Sequence, residues 1–177
     1  MKSWLALLNT RAYWLAIALL GITLLVIALY YQHALGEEPC QVCVQIRLWV
    51  VAITGVGLIM LLMPKHALSA VLGNSLLLGF CLGMLERSWL LYQLENGHGN
   101  GSCEFQLGMP DWFAVDRWFP DVFEVRNLCS FTPELLLGVS MAEGLVAISL
   151  TIGGLGAIAA AAAFAGNFRD ADPHLFR

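Results

Sequence analysis

The stretch Tyr13-Trp-Leu-Ala-Ile-Ala-Leu-Leu-Gly-Ile-Thr-Leu-Leu-Val-Ile-Ala-Leu-Tyr-Tyr31 runs for nineteen residues without a charged side chain. A bilayer hydrocarbon core about 30 Å thick takes roughly 20 helical residues to cross. In lipid every backbone N–H and C=O must be bonded within its own segment, so a run of this length reads as a helix. Three further runs of the same kind follow. Cys43–Met63 carries one charge, Arg47. Ala67–Leu85 carries none. Gly144–Phe164 also carries none and is rich in Ala and Gly. The expected spans are about 13–31, 44–63, 67–89 and 141–164, with outer loops at about 32–43 and 90–140. Residues 1–177 then form a single four-helix membrane domain. The first run is longer than a usual signal-peptide core, and no A-x-A-like cleavage site follows it. It therefore reads as a retained span.

Composition agrees with this reading. The chain is 59% apolar and only 12% charged, about half the charge of a soluble domain. Its mean hydropathy is +0.73. A net charge of -4 gives no footing for nucleic acid. The fold class expected is an all-α integral membrane protein, a four-helix transmembrane bundle.

Four spans place both termini on one side. That side carries Lys2, Arg11, Lys65, Arg169 and Arg177. The two loops on the other side carry only Arg117 and Arg126, with Arg47 and Arg87 near the membrane boundary. The positive-inside rule then puts the termini in the cytoplasm and the loops outside.

This topology sorts the five cysteines. Cys40, Cys43, Cys103 and Cys129 face outward, and Cys81 lies within a span. Disulfides persist in oxidising compartments such as a bacterial periplasm. In Pro39-Cys40-Gln-Val-Cys43 the pair falls at the start of the second span. Pro favours the first turn of a helix, and the orphan N–H groups and dipole of a helix start favour a thiolate. Arg47 lies four residues after Cys43, on the same helical face. A C-x-x-C pair also suits a zinc half-site or an inert disulfide, and four outward cysteines could make an all-thiolate zinc site. Redox use is the favoured reading.

Cys103 and Cys129 share the second outer loop and bracket twenty-five residues. A disulfide between them would be a structural staple or a transferable one. Asn96-Gly-His-Gly-Asn-Gly-Ser102 leads into Cys103, and three glycines in seven residues predict a flexible arm. Flexibility favours exchange. Between the two cysteines, Trp112, Phe113, Trp118, Phe119, Val122 and Phe123 are interleaved with acids. This predicts a short amphipathic helix at the outer membrane surface, or alternatively a packed lid. No G-x-G-x-x-G and no histidine cluster offers an electron acceptor. A lipid-soluble quinone is therefore the economical sink.

The chain resembles the DsbB family of bacterial disulfide-forming membrane proteins. The resemblance rests on Pro39-Cys40-Gln-Val-Cys43 with Arg47, on Cys103 and Cys129, and on the segments Pro110-Asp-Trp112, Asp116-Arg-Trp118 and Pro120-Asp-Val-Phe123. It spans nearly the whole chain. It implies a multi-pass protein of the bacterial inner membrane with periplasmic redox cysteines. A DsbA-like periplasmic thioredoxin-fold protein would pass two electrons to a Cys103–Cys129 disulfide. Cys40 and Cys43 would receive them next. The Cys43 thiolate, near Arg47, would reduce ubiquinone or menaquinone. Arg87 and Gln93 are the further candidates for the quinone pocket, and no metal is expected. A relative dedicated to one special partner, or a zinc-stabilised scaffold without catalysis, are the alternatives.

Two places depart from the family pattern. The family often has a histidine or similar polar group after the third span, where this chain reads Leu90-Leu-Tyr92-Gln93. Near the fourth span it tends to have Met-Pro-x-Trp, where this chain has Met141-Ala-Glu143-Gly144. Glu143 is expected to snorkel to the interface. Cys81 is expected to be a small buried hydrophobe.

Overall fold

A computed structural model of the chain describes residues 10–63, 67–97, 107–127 and 140–171. Four of its helices are long and apolar enough to cross a membrane. They are α1 (Arg11–Ala34), α2 (Gln41–Leu62), α3 (Ala67–Glu95) and α6 (Met141–Ala171). No strand occurs among the described residues; an isolated bridge pairs Cys40 with Asn127. The protein is an all-helical membrane bundle.

α1, α2 and α6 each start where a side chain can take up a free N–H group. Thr10 caps α1, its hydroxyl oxygen accepting from the Tyr13 N–H at 3.3 Å. Cys40 caps α2. Ser140 and Glu143 cap α6 reciprocally: the Glu143 N–H donates to Ser140 Oγ, and the Ser140 N–H donates to Glu143 Oε2, each at 3.2 Å. This is a capping box. Glu143 thus caps the helix start, with its side chain exposed. After α1 the chain reverses through Gly36, whose φ of 71° favours glycine. The Glu37 N–H then returns to the Tyr31 carbonyl at 3.1 Å.

The helices pack α1 on α2, α2 on α3 and, most extensively, α3 on α6. Lipid offers no hydrophobic drive between helices, so close backbone approach at small residues does much of the work. A Cβ on Gly57 would stand 3.1 Å from the Ala18 backbone nitrogen, and one on Gly21 would collide with Thr54. Leu77, Met84, Cys81 and Leu91 of α3 are almost fully buried. Cys81 is indeed a small apolar filler, facing Gly153 of α6. Leu19, Val26, Leu58, Leu72, Leu76, Leu150 and Ile158 point outward, as a lipid-facing surface requires. Several polar side chains within the spans are satisfied there, whereas Gln45 Oε1 is buried without a hydrogen-bond partner among the described residues. Thr54, Ser88 and Ser149 each donate to the carbonyl four residues back, and Tyr13 donates to Asn74 at 3.0 Å.

The aromatic stretch after residue 107 is helical, but it is divided into three short turns. These are a 3-10 turn (Asp111–Phe113), α4 (Val115–Trp118) and α5 (Pro120–Phe123). Phe119, at φ -136° and ψ 68°, interrupts the helix ahead of Pro120, since the residue before a proline avoids helical geometry. Val115 and Phe123 pack with Leu107 against Val44 of α2. Trp112, Trp118 and Phe119 face outward, Trp112 with 76% of its surface exposed. The segment therefore combines a packed lid with an exposed aromatic rim.

Candidate functional site

Pro39 and Cys40 end the short loop between α1 and α2. Pro39 precedes the cap, and Cys40 occupies it in extended geometry, with φ -82° and ψ 167°. The Cys40 sulfur accepts the Cys43 N–H at 3.2 Å. Both cysteines are free thiols. The hydrogen bond from the Cys43 thiol lowers the Cys40 pKa. Burial opposes this, and the backbone N–H groups of Cys43 and Val42 reinforce it. Helix-start stabilisation, expected for the pair, falls on Cys40. Cys43 stands in the third helical position, where its own N–H is the donor rather than its sulfur the acceptor.

The two sulfurs have different surroundings. Cys40 is 2% exposed and is held against the outer loop. The Pro39 carbonyl accepts the Arg126 and Asn127 N–H groups at 3.0 and 3.2 Å, and Cys40 bridges to Asn127. Cys43 instead lines a cavity of about 250 Å³. Its walls come from α1 (Leu24, Leu25, Ala28), α2 (Ile46, Arg47, Val50) and the start of α6 (Met141, Gly144, Leu145, Ile148), with Glu37, Glu38 and Pro39 at the loop end. The lining is almost wholly apolar apart from Arg47 and the two glutamates.

Arg47 is 8% exposed. Its Nη1 donates to Gln32 Oε1 at 2.6 Å and to the Val122 carbonyl at 2.8 Å, and Nη2 lies 3.4 Å from the Ala28 carbonyl. All three acceptors are neutral. The ion pairs found among the described residues are Arg87 with Glu86 and Arg126 with Glu124, so no carboxylate there neutralises Arg47. A buried cation held by neutral oxygens retains a strong attraction for any acceptor entering the cavity.

The structure thus brings Cys40, Cys43 and Arg47 together. Arg87 and Gln93 lie on α3, which contributes no side chain to the cavity wall. Arg87 faces outward beside Glu86 at 3.7 Å. Cys103 and Cys129 lie outside the described residues, as does His98. No third Cys, His, Asp or Glu groups with Cys40 and Cys43 among the described residues. Sequence reasoning missed Gln32, the partner of Arg47, and the contribution of Met141, Gly144 and Leu145. Gln32 carried one signal, being a lone amide at the end of an apolar run.

Comparison with known proteins agrees with this geometry. The family model for disulfide bond formation protein DsbB matches residues 10–162. The chain belongs to the DsbB family. It is 35% identical over 144 residues to disulfide bond formation protein B 2 of Pseudomonas aeruginosa, covering 80% of this chain and 85% of that protein. It is 32% identical over 142 residues to disulfide bond formation protein B of Shewanella sp. strain MR-4, covering 78% and 79%. A Shewanella amazonensis protein of the same name is 29% identical over 148 residues, covering 82% and 87%. Family membership and the four apolar helices make this chain a multi-pass inner-membrane protein of disulfide bond formation, an oxidoreductase by the chemistry of that process.

Proposed function

We propose that this DsbB-family chain is a thiol:quinone oxidoreductase that re-oxidises a DsbA-like periplasmic dithiol protein. One observation carries the reading: Cys43 shares the wall of a largely apolar cavity between α1, α2 and α6 with Arg47, whose hydrogen-bond acceptors among the described residues are all neutral. Apolar walls suit a quinone ring and its isoprenoid tail, and a guanidinium suits a ring carbonyl oxygen. When bound, ubiquinone or menaquinone supplies a two-electron, two-proton acceptor.

The chain's own residues do the rest. The partner's dithiol reduces a disulfide between Cys103 and Cys129, and that pair reduces a Cys40–Cys43 disulfide by thiol–disulfide exchange. Each exchange breaks one S–S bond and forms another, and passes on two electrons. The outer loop is held at the α2 start by the bridge between Asn127 and Cys40. Re-forming the Cys40–Cys43 bond releases two electrons and two protons from the dithiol. Cys43 faces the cavity and hands the electrons over. Arg47 would hold a ring carbonyl oxygen of a bound quinone and stabilise negative charge there. The orientation proposed places both termini in the cytoplasm and the cysteines in the periplasm. Arg87 and Gln93 remain candidates for contact with the quinone tail outside the cavity wall.

The test is quinone reduction by purified protein given a reduced soluble partner. Cys43→Ser abolishes it on this reading. Unchanged turnover in that variant contradicts the reading.

A further inference from the structure

Gln32 sits in the last full turn of α1, 7% exposed, and both ends of its amide are engaged. Oε1 accepts from Arg47 Nη1 at 2.6 Å, and Nε2 donates to the Asp121 carbonyl at 3.0 Å. The orientation follows from the partners, since a cation offers only donors and a carbonyl only accepts. Arg47 Nη1 also reaches the next carbonyl, that of Val122. The amide and the guanidinium together therefore tie the cavity wall to consecutive backbone carbonyls of the outer loop.

A primary amide fits this place on chemical grounds. A carboxylate would accept from Arg47 but would cancel its charge, and it would face the Asp121 carbonyl without a donor. An apolar side chain of the same length would leave a guanidinium proton and a carbonyl oxygen unpaired in a buried site. Only a neutral side chain with an acceptor at one corner and a donor at the other serves both partners.

We propose that Gln32 is the positioning residue of the cavity: it orients the Arg47 guanidinium toward the cavity without neutralising it, and anchors it to the loop at Asp121. The proposal rests on the reading of the cavity as a quinone site. Preorganised donors that need not reorganise when charge develops account for much of the stabilisation in such sites. Gln32 supplies that preorganisation for a side chain that otherwise has many rotamers.

The test uses the full chain in detergent, with Cys43→Ser as the parent so that binding is read without turnover. A short-chain ubiquinone is titrated and the rise in Tm gives its affinity. Gln32→Glu, which keeps the shape but cancels the cation, is expected to weaken binding by on the order of ten-fold. Gln32→Met, which adds no charge, is expected to weaken it by about three-fold, and to have no effect in an Arg47→Met background, because Gln32 acts through Arg47. In the chain with Cys43 intact, kcat for quinone falls more than KM rises in Gln32→Glu. Parent-like affinity in Gln32→Glu overturns the proposal, as do equal losses from Gln32→Met with and without Arg47. If Gln32→Glu fails to fold, the Gln32→Met comparison decides alone. No rise in Tm in the parent itself overturns the quinone reading, and the Gln32 proposal with it.

Discussion

Replacing Arg47 by Met separates the chemical role of the cation from its structural one. The substitution keeps an unbranched apolar stem, about two atoms shorter, and removes the guanidinium. Two hydrogen bonds of 2.6 and 2.8 Å vanish, and the 3.4 Å contact to Ala28 is too long to count for much. Gln32 Oε1 and the Val122 carbonyl are left buried, at roughly 1–3 kcal/mol each. Relief of the buried cation's desolvation, several kcal/mol, acts in the opposite direction. The two effects are of similar size, so thermal stability changes little. Catalysis has no such compensation. Loss of one preorganised charged donor at a developing oxyanion costs about 2.7–4 kcal/mol, or roughly 10²–10³ in kcat. Arg47→Lys keeps the charge but loses the planar fork, and is expected to lose about ten-fold, roughly 1.4 kcal/mol. The assay is steady-state reduction of a short-chain ubiquinone with the reduced soluble partner in excess, beside a melting curve for each variant. Arg47→Met turning over within about three-fold of the parent would refute the assignment of the cation to the accepting oxygen.

Other outcomes follow from the same geometry. The lowered Cys40 pKa keeps its thiolate, and its reactivity to alkylators, below the pH of about 8.5 at which free cysteine titrates. Cys43→Ala removes the thiol donor and moves the alkylation midpoint upward. The depressed pKa also gives the reduced protein stability that is fully present above the ordinary cysteine value. That stability is lost as pH falls through the lowered one, because the unfolded chain then binds more protons; melting of the dithiol form across that window checks the sign. Ser140→Ala removes half of the α6 capping box and is expected to cost about 1 kcal/mol, read as a lower Tm and a higher KM for quinone, since Met141 and Gly144 line the cavity. Leu145→Trp fills the cavity and is expected to raise KM for quinone by about ten-fold or more, measured in the same steady-state assay.

The four spans were legible because each is an uninterrupted apolar run, and lipid leaves such a run no other structure. Cys40, Cys43 and Arg47 were legible as a group because helical spacing alone puts them on one face. Which of the two cysteines the helix start stabilises was not. It depends on which residue caps α2, and Pro39 was read as opening the helix when it stands just before the cap. Gln32 was out of reach because its partners Arg47 and Asp121 belong to other elements, and only the fold brings them together. Ser140 and Glu143 carry the S-x-x-E spacing in plain sight, yet Glu143 was read against the family motif and the membrane boundary instead. The aromatic loop segment was read as one helix, although Pro120 marks where it breaks. Arg87 was chosen because charges within spans tend to be functional and Gln93 by analogy with the family; both lie on α3, which contributes no residue to the wall of this cavity.

The central claim is that electrons leave through Cys43 into the cavity it shares with Arg47. Single-turnover reduction tests it with Cys103 and Cys129 both changed to serine, so that only the Cys40–Cys43 dithiol can give electrons. Reduced protein is mixed with a short-chain ubiquinone, and quinol and disulfide are measured together. The account predicts one quinol per Cys40–Cys43 disulfide, and a sharp slowing when Arg47→Met is added. A disulfide that forms without quinol, or quinol that forms equally well after Cys43→Ser, would contradict it.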